Sequence, residues 1–391
     1  MKKLIFIKNT WYLLLCLAWV FLPGCTPKGP RLTSEIAQDN AQIVKDADRY
    51  LKEAPVTITA YRAEKSAGGI HDYFSEGSYW WPDPENPTGP YIRKDGNRNP
   101  ANFRKHIKAM GDLTNWVTTL TAAYLVTGDE KYAHHAISHL QAWFITPATR
   151  MNPSLLYGQA ITGIVTGRGI GIIDTRKLID VANSSRLLAQ AGVLSGATLA
   201  GVKDWFDAYG DWLVKHPYGI DERYNNNNHS TWWGAQVAAY ALLAEREDLL
   251  DTSRTQFKTQ LAIQMAADGS CPDELARTKP FGYSNMNLDG WATFAILASS
   301  DQENLWQYQS PHGTLKKAID FMVPYLKDPA SWPYPTALET PLKLKRADYL
   351  FFAAIGYHDQ AYLRLWQELK KEEATSHTNL LLWQKILSDE K

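Results

Sequence analysis

At 391 residues with 45% hydrophobic content, the chain has enough apolar side chain for one large or two ordinary domains, which excludes a disordered protein. Its 41 basic residues balance 41 acidic ones, so no global field recruits nucleic acid or an anionic membrane, and any affinity for a polyanion must be local. The 15 Trp and 20 Tyr leave two readings open, an aromatic-rich core or ring faces that stack on sugars.

Residues 1–24 have the form of an export signal, with Lys2 and Lys3 ahead of an apolar stretch from Trp11 to Leu22. The run is shorter than the roughly 20 residues that a spanning helix needs. Leu22-Pro23-Gly24-Cys25 resembles a lipoprotein processing site, at which Cys25 would be lipidated and anchor the chain to a membrane. Ordinary signal cleavage stays open, because Pro23 is unusual there. With Cys16 removed and Cys25 lipidated, Cys271 has no partner for a disulfide. Residues 25–34 read as a polar tether, and the domain spans residues 35–391.

Glu35 to Leu51 has helical spacing, with Ile36, Ile43 and Ala47 on one face and Ser34 as a candidate N-cap. Residues 56–102 are dense in Pro, Gly, Asn and Asp, and so long an irregular stretch inside a compact domain predicts a functional loop. From Phe103 onward, helix and short turn alternate. The candidates are Phe103 to Val126, Tyr132 to Phe144, Thr175 to Ala191, Ser195 to Lys215, Thr231 to Leu243 and Leu249 to Ala267. They continue with Leu288 to Ser299, Thr314 to Leu326, Arg346 to Ile355, Asp359 to Lys371 and Asn379 to Leu387. Strand-like alternation is scarce. The pattern predicts an all-α single domain, an α/α toroid in the form of an incomplete barrel of about six or seven helical hairpins. An open α-solenoid is the alternative, against which stands the lack of a fixed repeat.

Several motifs are weak on their own. Gly167, Gly169 and Gly171 superficially match a dinucleotide loop, but no βαβ unit flanks them, and a tight loop is the better reading. His135 and His139 have a chelating spacing beside His134, yet no third ligand is evident, so no metal and no cofactor is expected. Asp221 with Glu222, and Asp273 with Glu274, could serve a glycoside hydrolase, but adjacent carboxylates do not bracket a bond, and a cap or structural role is favoured. Between residues 93 and 108, Arg93, Lys94, Arg98, Arg104, Lys105 and Lys108 face a single acid, Asp95, beside Tyr79, Trp80, Trp81 and Tyr91. That mixture suits an acidic sugar chain.

The segments "NNNNHSTWW" and "ELARTKPFGYSN" carry the sharper chemistry. Eliminating across a uronate requires a donor to neutralise its carboxylate, a base for the C5 proton and an acid for the leaving oxygen, and Asn, Arg, His and Tyr supply all three. With "HDYFSEGSYWWPDPENPTGPYIRKDGNRNP" and "MNPSLLYGQAITGIVTGRGIGIID", these segments make the chain resemble the alginate lyase superfamily of α/α-toroid polysaccharide lyases. The resemblance is to family 5 and to related short single-domain alginate or glucuronan lyases such as family 38.

The resemblance implies that Asn228, His229, Arg277 and Tyr283 are catalytic. Asn228, His229 and Arg277 would neutralise the carboxylate, Tyr283 would protonate the glycosidic oxygen, and either His229 or Tyr283 would be the base. It further implies substrate contacts from Tyr79, Trp80, Trp81, Arg93, Gln159, Arg168, Trp232 and Asn285. Ser284 stands where a His follows the tyrosine in family 5, which favours the shorter relatives. The expected activity is β-elimination on alginate, mannuronate-rich blocks first, with the acidic polysaccharide as partner. The alternatives are a glucuronan lyase, a hydrolase on the same scaffold, and a non-catalytic surface glycan-binding lipoprotein using Trp80, Trp81, Trp232 and Trp233.

Overall fold

The computed structural model describes residues 33–335, 338, 342, 347–370, 382 and 383. The signal, Cys25 and most of the tether lie outside the described residues, as does most of the helix expected over 379–387. Among the described residues no helix is long and apolar enough to cross a membrane.

The chain opens with helix α1 (Thr33–Tyr50) and enters the breaker-rich segment, which holds one 3-10 turn at Ile58–Ala60 and the short strands β1 (Phe74–Glu76), β2 (Trp80–Trp81) and β3 (Ile92–Arg93). Helices α2 (Lys105–Thr127) and α3 (Glu130–Phe144) form the first clear hairpin. Next come strand β4 (Tyr157–Ala160) and a 3-10 helix over Gly169–Lys177. The remaining helices are α4 (Leu178–Gln190), α5 (Gly196–Lys215), α6 (Pro217–Arg223), α7 (Asn228–Ala244), α8 (Glu247–Gln264), α9 (Pro272–Leu275), α10 (Pro280–Ala298), α11 (Leu315–Lys327), α12 (Tyr349–Gly356) and α13 (Gln360–Lys370).

Packing sorts the long helices into two rows. Helices α2, α4, α7, α10 and α12 touch one another in succession as an inner row, while α1, α3, α5, α8, α11 and α13 pack on their outer side. Sequence explains the sorting, because α7 and α10 are buried around most of their circumference, as helices enclosed on all sides must be. The result is an incomplete α/α toroid with little sheet. Its strands form two two-stranded pieces, β1 parallel to β4 and β2 antiparallel to β3, both at the end where the inner helices begin.

The aromatic surplus divides between both readings left open by composition. Trp143, Trp233, Trp291 and Trp366 are fully buried core, whereas Trp80, Trp81 and Trp232 keep partial exposure. Trp233 donates its indole N–H to the Leu213 carbonyl at 3.2 Å and cannot serve sugar.

Two local differences from the sequence expectation matter for the site. The helix expected from Thr175 begins as the 3-10 segment, and the one expected from Leu288 begins eight residues earlier, at Pro280. Proline at the first helical position costs nothing, since its missing N–H would have had no partner there. Tyr283 therefore stands on the first turn of α10. The glycine-rich run is explained by crowding: a Cβ on Gly171 would lie 2.6 Å from the Gly158 carbonyl carbon, so the run packs against β4 instead of cradling a nucleotide.

The α7–α10 contact depends on Gly234, where an added Cβ would meet the Phe294 ring at 2.1 Å. Gly234→Ala should lower the unfolding free energy by about 1–3 kcal/mol, the usual cost of overpacking. A urea midpoint equal to that of the parent would contradict this close approach.

Candidate active site

Asn228 and His229 are the first two residues of α7, entered through Asn227, whose side chain accepts the His229 backbone N–H at 3.0 Å. Beneath them sit two fully buried carboxylates. Glu274, on α9, accepts the Asn228 backbone N–H at 2.5 Å and its side-chain amide at 2.8 Å, both at Oε1. Glu222, on α6, meets His229 Nδ1 at 2.8 Å. Burial pushes both carboxyl pKa values up, while Asn228 and His229 respectively pull them back. With Nδ1–H donated to Glu222, the His229 Nε2 atom is left without a partner among the described residues and can accept a proton.

These positions correct the carboxylate-pair alternative. Glu222 and Glu274 have no accessible surface to offer a glycosidic bond, and their sequence neighbours Asp221 and Asp273 are exposed. Each glutamate instead orients one member of the Asn-His pair.

Arg277 follows α9 and reaches back to the long loop, where its guanidinium makes a two-pronged contact with Asp95 at 3.0 and 3.2 Å. Thr278 adds a hydroxyl to the same carboxylate at 3.1 Å. Arg277 also lies 3.8 Å from the centroid of the Tyr283 ring. The Tyr283 hydroxyl is 2.6 Å from that of Tyr79, a loop residue 204 positions away in sequence. Burial and the Tyr79 hydroxyl push the Tyr283 pKa well up, and the adjacent Arg277 charge does not offset them. Tyr283 is therefore a protonated phenol at rest. The two halves of the site converge, since Glu274 interacts electrostatically with both Arg277 and His229.

Arg168, Gln159 and Asp174 form a second polar group. Arg168 donates to the Gln159 carbonyl at 3.0 Å and to its side-chain oxygen at 3.2 Å, and its charge lies 5.8 Å from the Trp80 ring centroid. Burial and the charge of Arg93 lower its pKa to about 10. Gln159, in the left-handed region at φ 49°, donates in turn to Asp174 at 3.2 Å.

The expected substrate contacts do not all gather here. Trp80 and Trp81 are consecutive on a strand and so point to opposite sides; Trp80 faces Arg168, while Trp81 lies under Lys94 with its N–H on the Asn97 carbonyl at 3.0 Å. Arg93 is exposed and paired with Asp95 at 2.8 Å. Asn285 is buried, donates to the Phe281 carbonyl at 2.9 Å and accepts from Tyr349 at 2.9 Å, which makes it a strut between α10 and α12 instead of a sugar ligand. Trp232 is half-buried below the Asn-His pair.

No group of three or more potential ligands able to hold a metal occurs among the described residues. His134 lies 3.9 Å from Glu130, His135 bonds the Glu53 carbonyl, and His139 is buried with its ring edge-on to His135.

Asp95, Glu222, Asp174 and Tyr79 complete the arrangement. Only Tyr79 was singled out for substrate from sequence, and its hydroxyl contact to Tyr283 has no local signal.

The Asp95 carboxyl gains a testable pH dependence. Burial would raise its pKa, but Arg277, Arg93 and Thr278 together hold it at about 2. A depressed folded-state value means that the contribution is complete above the ordinary aspartate value near 4 and is lost as pH falls toward 2. Thermal melts of the parent and of Asp95→Asn should converge in that window and diverge above it. Parallel profiles from pH 2 to 6 would contradict the pairing.

The sequence profile of the alginate lyase family matches residues 57–332. An alginate lyase from Bacteroides ovatus of known structure superposes with a TM-score of 0.80 at 32% identity, covering 89% of this chain and 93% of that one. The alginate lyase of Pseudomonas aeruginosa strain PAO1 is 27% identical over 240 residues, 60% of this chain and 62% of its own length. The chain thus spans under two thirds of that curated relative. A more distant structure, an alginate lyase from Sphingomonas species A1, shares the fold with a TM-score of 0.51 at 15% identity over 83% of this chain and 88% of its own. The extent of the profile match and the identity to the Bacteroides ovatus protein establish that the chain belongs to the alginate lyase family.

Proposed function

We propose that the protein is a polysaccharide lyase that cleaves a 1,4-linked polyuronate by β-elimination, leaving a 4,5-unsaturated uronate at the new end. The observation that carries this reading is the junction of α7 and α10. One helix presents Asn228 and His229 and the other Tyr283, with Arg277 stacked on the tyrosine ring.

Each group has a role set by its surroundings. The C5 proton is acidic only when the adjoining carboxylate is neutralised; the donors for it are the Arg277 guanidinium and the second N–H of the Asn228 amide, a side chain 1% exposed whose first N–H is held by Glu274. Arg277 is held by Asp95 in the free protein, so the substrate carboxylate either joins that pair or replaces one prong. His229 suits the base, because Glu222 holds the Nδ1 side and frees Nε2. Tyr283, a phenol with a raised pKa, suits the acid that protonates the departing O4. No step calls for a metal.

Alginate is the first substrate, its mannuronate blocks before its guluronate blocks, and glucuronan the second. The family membership favours alginate. A hydrolase is disfavoured because Glu222 and Glu274 are buried and occupied, and the partly exposed Asp95 is held by Arg277 and Thr278. The location proposed is outside the cytoplasm, with lipid on Cys25, a reading supported by the leader sequence alone.

Purified protein in chelator should generate the ultraviolet chromophore of an unsaturated uronate from poly-mannuronate, and more slowly or not at all from poly-guluronate or glucuronan. New reducing ends without the chromophore would sink the lyase reading. Tyr283→Phe should reduce kcat by about 10²–10⁴-fold, the usual contribution of a positioned acid or base. Asp273→Asn, at an exposed site, should leave the rate within twofold, and the reverse ranking would favour hydrolysis.

A further inference from the structure

Arg176 closes the 3-10 helix over Gly169–Lys177, a position the catalytic reading does not use. Its charge lies 5.8 Å from the Trp232 ring centroid, and one nitrogen donates to the Ile173 carbonyl at 3.2 Å. No carboxylate within ion-pairing distance answers it among the described residues. The nearest acid, Asp174, is already committed: Tyr73 and Ser75 hydroxyls donate to Oδ2 at 3.2 and 2.5 Å, and Gln159 donates to Oδ1 at 3.2 Å.

The loop adds a second cation instead of an anion. Burial lowers the Arg176 pKa, Asp174 partly offsets it, and the charge of Arg98 lowers it further. Arg98 is exposed and has no ion-pair partner among the described residues. A half-buried guanidinium with no carboxylate to answer it, and with the positive charge of Arg98 bearing on it, is in an unfavourable state that an anion would relieve. The charge continues beyond them, since Lys177 interacts with both Arg176 and Arg104.

Position gives the anion a chemical class. Trp232 is four residues after Asn228 and three after His229 on α7, which puts it on the same helix face, one turn on, about 6 Å along the axis. A half-buried indole under a guanidinium offers an apolar ring face and a carboxylate donor side by side, matching one uronate unit.

We propose that Arg176, with Trp232 beneath it, is a second uronate-binding site, which grips the carboxylate of a sugar neighbouring the one whose bond is cleaved. This rests on the polyuronate reading above. It makes affinity depend on chain length, and it assigns the long loop a binding role through Arg98.

The test is calorimetric binding of mannuronate di- and tetrasaccharides to Tyr283→Phe protein, which removes turnover. Adding Arg176→Gln should weaken tetrasaccharide binding about tenfold or more, the worth of a charge-assisted hydrogen bond, and change disaccharide binding far less. Arg98→Ala, at an exposed position that folding does not depend on, should weaken the tetrasaccharide about threefold and carries the test alone if the other variant does not fold. Carboxyl-reduced tetrasaccharide should be indifferent to both changes. Unchanged tetrasaccharide affinity in both variants, or equal loss with the reduced sugar, overturns the second site while leaving the lyase reading intact. Failure of Tyr283→Phe protein to bind any uronate oligosaccharide overturns both.

Discussion

Two carboxylates buried beneath the first turn of α7 are the constraint on which the site depends. A lone ionised carboxyl in a protein interior is costly and persists only when donors surround it. Glu274 meets that requirement at Oε1 alone, with a backbone N–H and the Asn228 amide at a helix N-terminus where negative charge is favoured, while its buried Oε2 has no partner among the described residues. Glu222 meets it with the imidazole of His229. The short helices α6 and α9 have little core to bury, and their place in the fold is to bring these two side chains under the Asn-His pair. Losing either donor would leave a buried carboxyl without its partner, so the same bonds that satisfy the carboxyls fix the positions of Asn228 and His229.

The second half of the site is held from the opposite direction. Arg277 and Tyr283 belong to the helical arc, but their partners, Asp95 and Tyr79, come from the loop over 56–102. The loop is thus part of the candidate site, holding Arg277 and Tyr283 from one side. Its charge follows a division of labour: Arg93 is matched by Asp95, and Arg168 is tied to Gln159, whereas Arg98 and Arg176 are left without acids. A chain of zero net charge can bind a polyanion where local cations are left unpaired.

How much of this was readable beforehand follows from distance along the chain. The helical pattern was legible because periodicity is local, and the boundaries fell within a few residues except where Pro280 hid the start of α10 and a 3-10 turn replaced the start of α4. Asn228, His229, Arg277 and Tyr283 stood out because each lies in a compact motif. For Glu222 and Glu274 the sequence favours a structural role over a hydrolase pair, and burial agrees, but their partners Asn228 and His229 are set by the fold and carry no local signal. Asp95 and Tyr79 act on residues 182 and 204 positions away, and no local pattern carries such a pairing. Asn285 illustrates the opposite error, a polar residue in the right motif that points into the interhelical core.

The proposed base chemistry depends on the state of one imidazole. If buried Glu222 accepts a hydrogen bond from Nδ1–H, His229 is left with a bare Nε2, and base chemistry at that atom follows. Nitrogen-15 NMR of the histidine side chains, with His229 assigned by comparison with His229→Gln, reads the tautomer directly. At neutral pH the account predicts the Nδ1–H form for His229, with that preference lost in Glu222→Leu. A dominant Nε2–H form in the parent, or one indifferent to the Glu222 substitution, would contradict it.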